Sequence, residues 1–389
     1  MTYFIDVAFD SLNKYGEELC GDKVEIIRTE DGLIIVLADG LGSGVKANIL
    51  ATLTSKIAAT MLMEGATLDE TVDTIMNTLP VCSVRKIAYS TFTMIKINND
   101  GEVYAIEYDN PPLFLIREDQ YVHIEKRSIP MNKRVIKESN FKLKPGDTLT
   151  VVSDGVIHAG VGAILNLGWQ WDNVKDHLSR VSGKEKCAKN VTKNLIEVCQ
   201  NLYANKPGDD TTVVTVKFRK GEEIDMFTGP PKDRNKDAYV IEKFMEGDGK
   251  KVVCGGTAAN IVSRELKEEL VVNMDFYDPG IPPTADIKGI DLVTEGVLTL
   301  CKVVEKMKKY INTSETNAAY KPKDKDGASR LTKMLIEDCT HLNLWVGKAV
   351  NPAHQNTDFP MDLTIKLKVV DELIELMRKL GKRVKLTYV

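Results

Sequence analysis

The chain lacks any apolar run of the ~20 residues that a membrane-spanning helix needs; its longest apolar stretches are short and broken by Gly, Lys or Asp. An integral membrane protein is therefore not expected. It also lacks a positive excess. Lys and Arg number 52 against 56 Asp and Glu, a formal net charge of −4, so no global basic field is present to hold nucleic acid. No CxxC pair occurs. The 7 Cys are odd in number and scattered over 389 residues, which argues against a disulfide framework and for reduced thiols in a cytoplasmic protein. Each Cys reads most simply as a small buried apolar residue. The opening MTYFIDVAFDSLNKYG carries acids early and no long apolar core, so neither a signal peptide nor a transit peptide is expected. No internal repeat is visible.

What is present is the balance of a soluble globular protein, 43% hydrophobic and 28% charged. A chain of 389 residues exceeds one ordinary core, so two domains are expected. Residues 1–220 read as the first, 221–240 as a linker, and 241–389 as an α/β regulatory or ligand-binding domain. The linker reading rests on Gly229-Pro230-Pro231-Lys232-Asp233-Arg234-Asn235-Lys236, which is Pro-rich, charged and aperiodic.

In the first domain, Lys23–Arg28 and Leu33–Ala38 read as strands joined by a turn containing Asp31-Gly32. Helical spacing follows over Ser43–Met63, with Ser43 as an N-cap, and again over Thr67–Leu79. Strands are expected at Tyr89–Ile97, Val103–Tyr108, Leu113–Arg117, Val122–Lys126, Thr148–Val152 and Thr211–Phe218, with a helix near Lys184–Leu202. Antiparallel strands with inserted helices suggest an α+β plan of two packed sheets covered by helices. Beyond the linker, strand and helix alternate, which favours a smaller α/β domain with a largely parallel sheet. The polar stretch Asn312–Gly327 reads as a mobile loop.

Three acidic motifs sit at strand ends: Ala38-Asp39-Gly40, Ser153-Asp154-Gly155 and Gly208-Asp209-Asp210. A carboxylate at the end of a buried strand needs neutralising. Several converging on one point would repel one another unless a hard divalent cation lay between them, since Mg²⁺ and Mn²⁺ prefer oxygen ligands. Singly, each Asp-Gly is ordinary turn chemistry; the set is what carries information.

The elements ADGLGSG, SDG and GDDTTVV, in this order and spacing, resemble the metal-dependent type 2C protein phosphatases, and within them the bacterial stage II sporulation protein E group. Cys20-Gly21-Asp22 matches the (G/S)-G-D element of that group, with Cys as a departure, and Leu143-Lys144-Pro145-Gly146-Asp147 resembles its L-x-x-G-D lead-in to SDG. The likeness covers about the first half of the chain. It implies a phosphatase-type β-sandwich flanked by helices and a site for two ions, Mn²⁺ or Mg²⁺. By resemblance Asp39 bridges the two ions. Asp22 and the Gly40 carbonyl serve one, Asp154 and Asp209 the other, and Asp210 is a weaker ligand candidate. Asp39, Asp154 and Asp209 would carry the catalysis.

The implied reaction is hydrolysis of phosphoserine or phosphothreonine by a metal-activated water, without a covalent phosphoenzyme. The implied substrate is a phosphorylated signalling protein similar to an anti-sigma-factor antagonist. Neither a nucleic-acid nor a membrane partner is expected, and a homodimer is allowed. Two departures stand out: Leu41 follows the DG where many eukaryotic members have a His, and no phosphate-binding Arg can be placed. Lys23 could reach phosphate but reads more simply as a solvated strand residue. His123, His158 and His177 are not at metal-ligand spacing. The helices after Asp39-Gly40 are candidates for a switch that positions the Gly40 carbonyl. In the second domain, Cys254-Gly255-Gly256-Thr257 and Thr294-Glu295-Gly296 are strand–turn–helix junctions that suit an anion or equally a plain tight turn. Cys339, His341 and His354 match no zinc spacing. The alternatives are a non-catalytic binding module that keeps the phosphatase fold, and a hydrolase of small phosphoesters.

Overall fold

The computed structural model describes residues 3–78, 90–131, 134–273, 281–312, 325–349 and 361–389. The chain divides into two compact units, Met1–Lys220 and Gly221–Val389.

The first unit runs β1 (Tyr3–Leu12), β2 (Asp22–Arg28), β3 (Gly32–Gly40), α1 (Gly44–Met63), α2 (Leu68–Thr78), β4 (Ser90–Asn98), β5 (Glu102–Tyr108), β6 (Phe114–Arg117), β7 (Gln120–Tyr121), β8 (Arg127–Met131), β9 (Arg134–Lys142), β10 (Thr148–Val152), α3 (Asp154–Ile157), α4 (Trp171–Val181), α5 (Ala188–Leu202) and β11 (Thr211–Lys220). Its strands form two sheets, ordered β1-β11-β10-β6-β7 and β2-β3-β4-β5-β9-β8. Every strand pairing in both is antiparallel.

β3 explains the layering. Leu33, Ile35 and Leu37 join a core shared with Leu149, Val151, Val214 and Val216 of the other sheet. Ile34, Val36 and Ala38, on the opposite face, pack with Ala51, Ala58 and Leu62 of α1 and Val72 of α2. A strand covered on both faces must be apolar throughout, and β3 is buried at every position from Gly32 to Ala38. The other sheet's outer face is covered in the same way: Val152 and Val213 pack with Val174 and Leu178 of α4 and Val191 and Leu195 of α5. Two sheets face each other and helices cover both outer faces, which is the expected α+β sandwich.

Several local expectations need correction. Val122–Lys126 is not a strand; the hairpin partner of β6 is the two-residue β7, whose Tyr121 lies opposite Ile116. Glu118 and Asp119, with φ of 49° and 61°, turn the chain back, and the hairpin pairs only Arg117 with Gln120 and Ile116 with Tyr121. β1, β8, β9 and α4 were not anticipated. Ser43 stands at the N-cap of α1 without a capping hydrogen bond; its hydroxyl donates to Glu17 Oε1 at 3.0 Å.

The second unit runs β12 (Glu223–Thr228), α6 (Asp237–Met245), β13 (Lys250–Cys254), α7 (Gly256–Leu266), β14 (Val271–Val272), β15 (Ala285–Asp286), β16 (Leu292–Thr294), α8 (Val297–Asn312), α9 (Gly327–Lys333), β17 (His341–Val346), α10 (Met361–Lys379) and β18 (Arg383–Tyr388). One sheet ordered β14-β15-β16-β13-β12-β17-β18 holds it together. It is parallel from β16 to β18 and antiparallel only where β14 and β15 join. The mixed, largely parallel sheet agrees with the alternation in the sequence. The stretch 221–240 is not a linker: β12 within it pairs with both β13 and β17, and Asp237 opens α6. The Pro-rich run hides the short strand Ile224 to Thr228 before it, which is buried throughout although it includes Asp225. Most of the expected loop Asn312–Gly327, and His354, lie outside the described residues.

Candidate metal centre

The acidic motifs meet at one end of the sandwich because register puts them there. β2 and β3 pair so that Asp22 lies opposite Asp39. The amide of Gly40 donates to the Gly21 carbonyl at 3.1 Å, closing that end of the ladder. From the other sheet, β10 ends at Val152 opposite Val213. Asp154 therefore begins α3 just beyond β10, and Asp209 and Asp210 lie just before β11. Ser153 ties the two strand ends together: its amide donates to the Thr212 carbonyl at 3.0 Å, and its hydroxyl accepts from the Thr212 amide at 2.8 Å.

Glycines allow the close approach. A Cβ on Gly21 would lie 2.7 Å from Asp210 Oδ2, and one on Gly155 would lie 2.0 Å from the Asp210 carbonyl. One on Gly40 would sit 2.0 Å from the Ala47 carbonyl of α1. The Asp-Gly and Gly-Asp pairs thus mark places where backbone passes too near other chain for any side chain. The Asp39 carbonyl is held by the Ser90 hydroxyl at 2.9 Å, and the Cys20 carbonyl by the Asn48 amide of α1 at 2.8 Å.

The electrostatics are those of crowded acids. Burial pushes the Asp39 carboxyl well above its ordinary range, and the charges of Asp22, Asp154, Asp209 and Asp210 push it further. Asp22 is raised mainly by burial; the Thr212 and Ser153 hydroxyls oppose that shift, and Asp210 and Asp154 add to it. Asp154 is raised by burial and by Asp209, and Asp209 by burial. Asp22 and Asp210 are only 5% and 4% exposed. Both Asp22 carboxylate oxygens and Asp210 Oδ2 are buried without a hydrogen-bond partner; the Thr212 and Ser153 hydroxyls lie near Asp22 but do not bond it.

Such orphaned acceptors are costly unless a cation satisfies them, and an all-oxygen, carboxylate-rich donor set suits Mg²⁺ or Mn²⁺. The residues fit a divalent metal on that ground. Among the described residues no three His, Cys, Asp or Glu side chains already enclose a single cation, so the acids act on one another across a gap without forming a closed cage.

Three residues gain weight over the sequence reading. Asp210 is a central member of the cluster, its Oδ1 accepting from the Lys14 amide at 3.0 Å. Lys14 itself lowers the Asp209 pKa, and His158 lowers those of both Asp154 and Asp209. His158 follows α3 by one residue, a proximity that metal-ligand spacing could not reveal. His177 belongs elsewhere, 2.6 Å from Asn194 and edge-on to Trp169.

An α+β sandwich with acids gathered at one end defines a class of site, and comparison with known proteins supplies the family. Residues 29–219 match the family model of stage II sporulation protein E (SpoIIE). The first unit therefore carries a SpoIIE-type phosphatase domain. The matched span includes Asp39, Asp154, Asp209 and Asp210 and begins after Asp22. A comparison with curated proteins gives no match. Similar solved structures include the phosphatase domain of the cell fate determinant SpoIIE from Bacillus subtilis, at 22% identity over 56% of this chain and 93% of that one, with a TM-score of 0.43. The SiaA-PP2C domain of Pseudomonas aeruginosa is 16% identical over 56% and 84%, TM-score 0.42. A serine/threonine phosphatase of S. agalactiae is 15% identical over 55% and 99%, TM-score 0.41.

Proposed function

We propose that the first unit hydrolyses phosphoserine or phosphothreonine on a signalling protein, using two divalent cations, Mn²⁺ or Mg²⁺. The observation that carries this reading is the set of buried, unpartnered oxygens on Asp22 and Asp210 within a ring of acids that raise one another's pKa. A purely binding module has no use for such strain. Asp22, Asp39, the Gly40 carbonyl, Asp154 and Asp209 would hold the ions, with Asp210 beside Gly21 in support. Bound there, the cations would supply a nucleophilic water at neutral pH and compensate charge on the phosphoryl oxygens.

The protein's own contribution is position. Ser90 and the β2–β3 ladder fix Asp39. Ser153 locks the Asp154 turn to β11. The Ala47 carbonyl, against Gly40, couples that carbonyl's placement to α1, the basis of a switch through this helix. Lys14 adds positive charge beside Asp209 and draws the phosphate monoester in. Hydrolysis would join a water oxygen to phosphorus and break the bond from phosphorus to the seryl oxygen; the water would release a proton to solvent and the seryl oxygen would take one from solvent, since Leu41 donates none. A phosphoprotein resembling an anti-sigma-factor antagonist is the substrate the family suggests, with the second unit as a regulatory or ligand-binding part. We assign the protein to the cytoplasm, a reading supported by an odd number of scattered Cys residues with no CxxC pair. No helix among the described residues is long and apolar enough to cross a membrane.

The test is hydrolysis of an aryl phosphate and a phosphoserine peptide with Mn²⁺, Mg²⁺ or chelator, in the wild type and Asp39→Asn. Metal-dependent turnover that disappears with Asp39→Asn supports the reading. Turnover unchanged by chelator or by the substitution would overturn it.

A further inference from the structure

We infer that the loop 160–168 is an apolar docking lip for the substrate polypeptide, and that the substrate carries large aliphatic or aromatic side chains next to its phosphorylated residue. The inference rests on the phosphatase reading and specifies its substrate.

The loop leaves α3 directly after Asp154 and His158. It presents Val161, Ile164 and Leu167 to solvent, 45%, 62% and 74% exposed. Three large apolar side chains within seven residues form a patch, unlike a single exposed apolar residue, which needs no explanation. The patch is held in shape. Gly160, Gly162 and Gly168 turn the chain with φ of 94°, 76° and 77°. The Leu165 and Ala163 amides both donate to the Gly160 carbonyl, at 2.9 and 3.0 Å, and Val161 bridges to Leu165. At its far end the Gln170 amide returns to the Ile157 carbonyl at 2.8 Å. A Cβ on Gly168 would lie 2.8 Å from His158 Cα, so both ends of the loop are pinned beside that histidine.

The location decides the occupant. A Cβ on Gly208 would lie 3.9 Å from the Val161 carbonyl, so the start of the loop lies beside the turn that carries Asp209. A phosphoryl group delivered to the acids brings its flanking residues against this loop. Behind the lip, Leu165 also lines a groove of about 720 Å³ with Trp169 and Leu202, edged by Arg180 and Asp176. An exposed apolar lip beside a groove that mixes Leu165, Trp169 and Leu202 with polar side chains suits an extended polypeptide better than a small, highly charged phosphometabolite.

The experiment uses the full chain with Mn²⁺ and three substrates: an aryl phosphate, a phosphoserine peptide flanked by Leu and Ile, and one flanked by Ser and Gln. Ile164→Ser with Leu167→Ser removes the lip without touching the acids. The wild type should favour the apolar-flanked peptide through KM. The double variant should raise that KM about tenfold and leave kcat and aryl phosphate turnover unchanged. Equal KM for the two peptides, or an unchanged KM in the variant, with aryl phosphate turnover intact, overturns the lip and spares the phosphatase reading. Absence of aryl phosphate turnover in the wild type contradicts that reading and the lip with it.

Discussion

Buried charge is handled differently at the sandwich end of the first unit and around the sheet of the second. At three places in the second unit a buried ionised group finds its partner within the fold. Lys251 lies 2.7 Å from Asp225, both side chains 6% exposed. Lys382 donates to the Ile336 carbonyl at 2.7 Å and also to the Cys339 carbonyl. Lys366 donates to the Gly347 carbonyl at 2.6 Å. In the first unit the acids at the sandwich end are turned toward one another, and Asp22 has no partner at either oxygen. Satisfied buried charge belongs to architecture. Unsatisfied buried charge of one sign persists only where a ligand is meant to complete it. Substitution should separate the two kinds by the sign of its effect on stability.

The largest effect is expected at Asp39. Asp39→Asn should slow metal-dependent turnover by about a thousandfold or more, a barrier increase of ~4 kcal/mol, measured as kcat on a phosphoserine peptide. Next, Asp225→Asn should destabilise the second unit by about 3–5 kcal/mol by leaving Lys251 buried and unpaired, measured by denaturant unfolding, with no change in divalent-metal affinity. Smaller and opposite in sign, Asp22→Asn should stabilise the metal-free protein by about 1–3 kcal/mol. An Asp22→Asn protein less stable than the wild type without metal would break the comparison.

pH sharpens the same contrast. Asp22, Asp39, Asp154 and Asp209 all have raised pKa values in the folded, metal-free protein. The folded state therefore binds more protons than the unfolded state above the ordinary carboxylate value of 3.8. Metal-free stability should fall as pH rises from there through the raised values. Mn²⁺ should remove that loss, because a bound cation favours the charged carboxylates. Melting curves from pH 4 upward, with chelator and with Mn²⁺, should diverge as pH increases. The smallest effect is expected at Ser43: Ser43→Ala should change stability by less than about 0.5 kcal/mol, since its hydroxyl serves the exposed Glu17 and not the helix.

The two units also differed in how much could be read from the sequence. β3 and α1 were legible because burial on both faces of a strand leaves an unbroken apolar run, and the Asp-Gly pairs marked where it ends. The candidate ligands followed from those strand ends. The weight of Asp210 is not legible in the sequence, because it comes from the close approach of Gly21, a residue nearly two hundred positions away. The relation of His158 to Asp209 likewise runs through space. β12 was hidden by the Pro-rich segment behind it, whose composition suggested a linker although Ile224–Thr228 lies between two partner strands. The loop 160–168 carried an apolar signal, but nothing in the sequence said that Ile164 and Leu167 would face solvent.

The central claim is that the acids at the sandwich end form a divalent-cation site. Titration calorimetry of the metal-free full chain with Mn²⁺ tests it most directly, in the wild type and in Asp39→Asn. Two ions bound per chain in the wild type, with at least one lost in the variant, is the result the account predicts. No heat of binding in the wild type, or an identical isotherm in the variant, would contradict it.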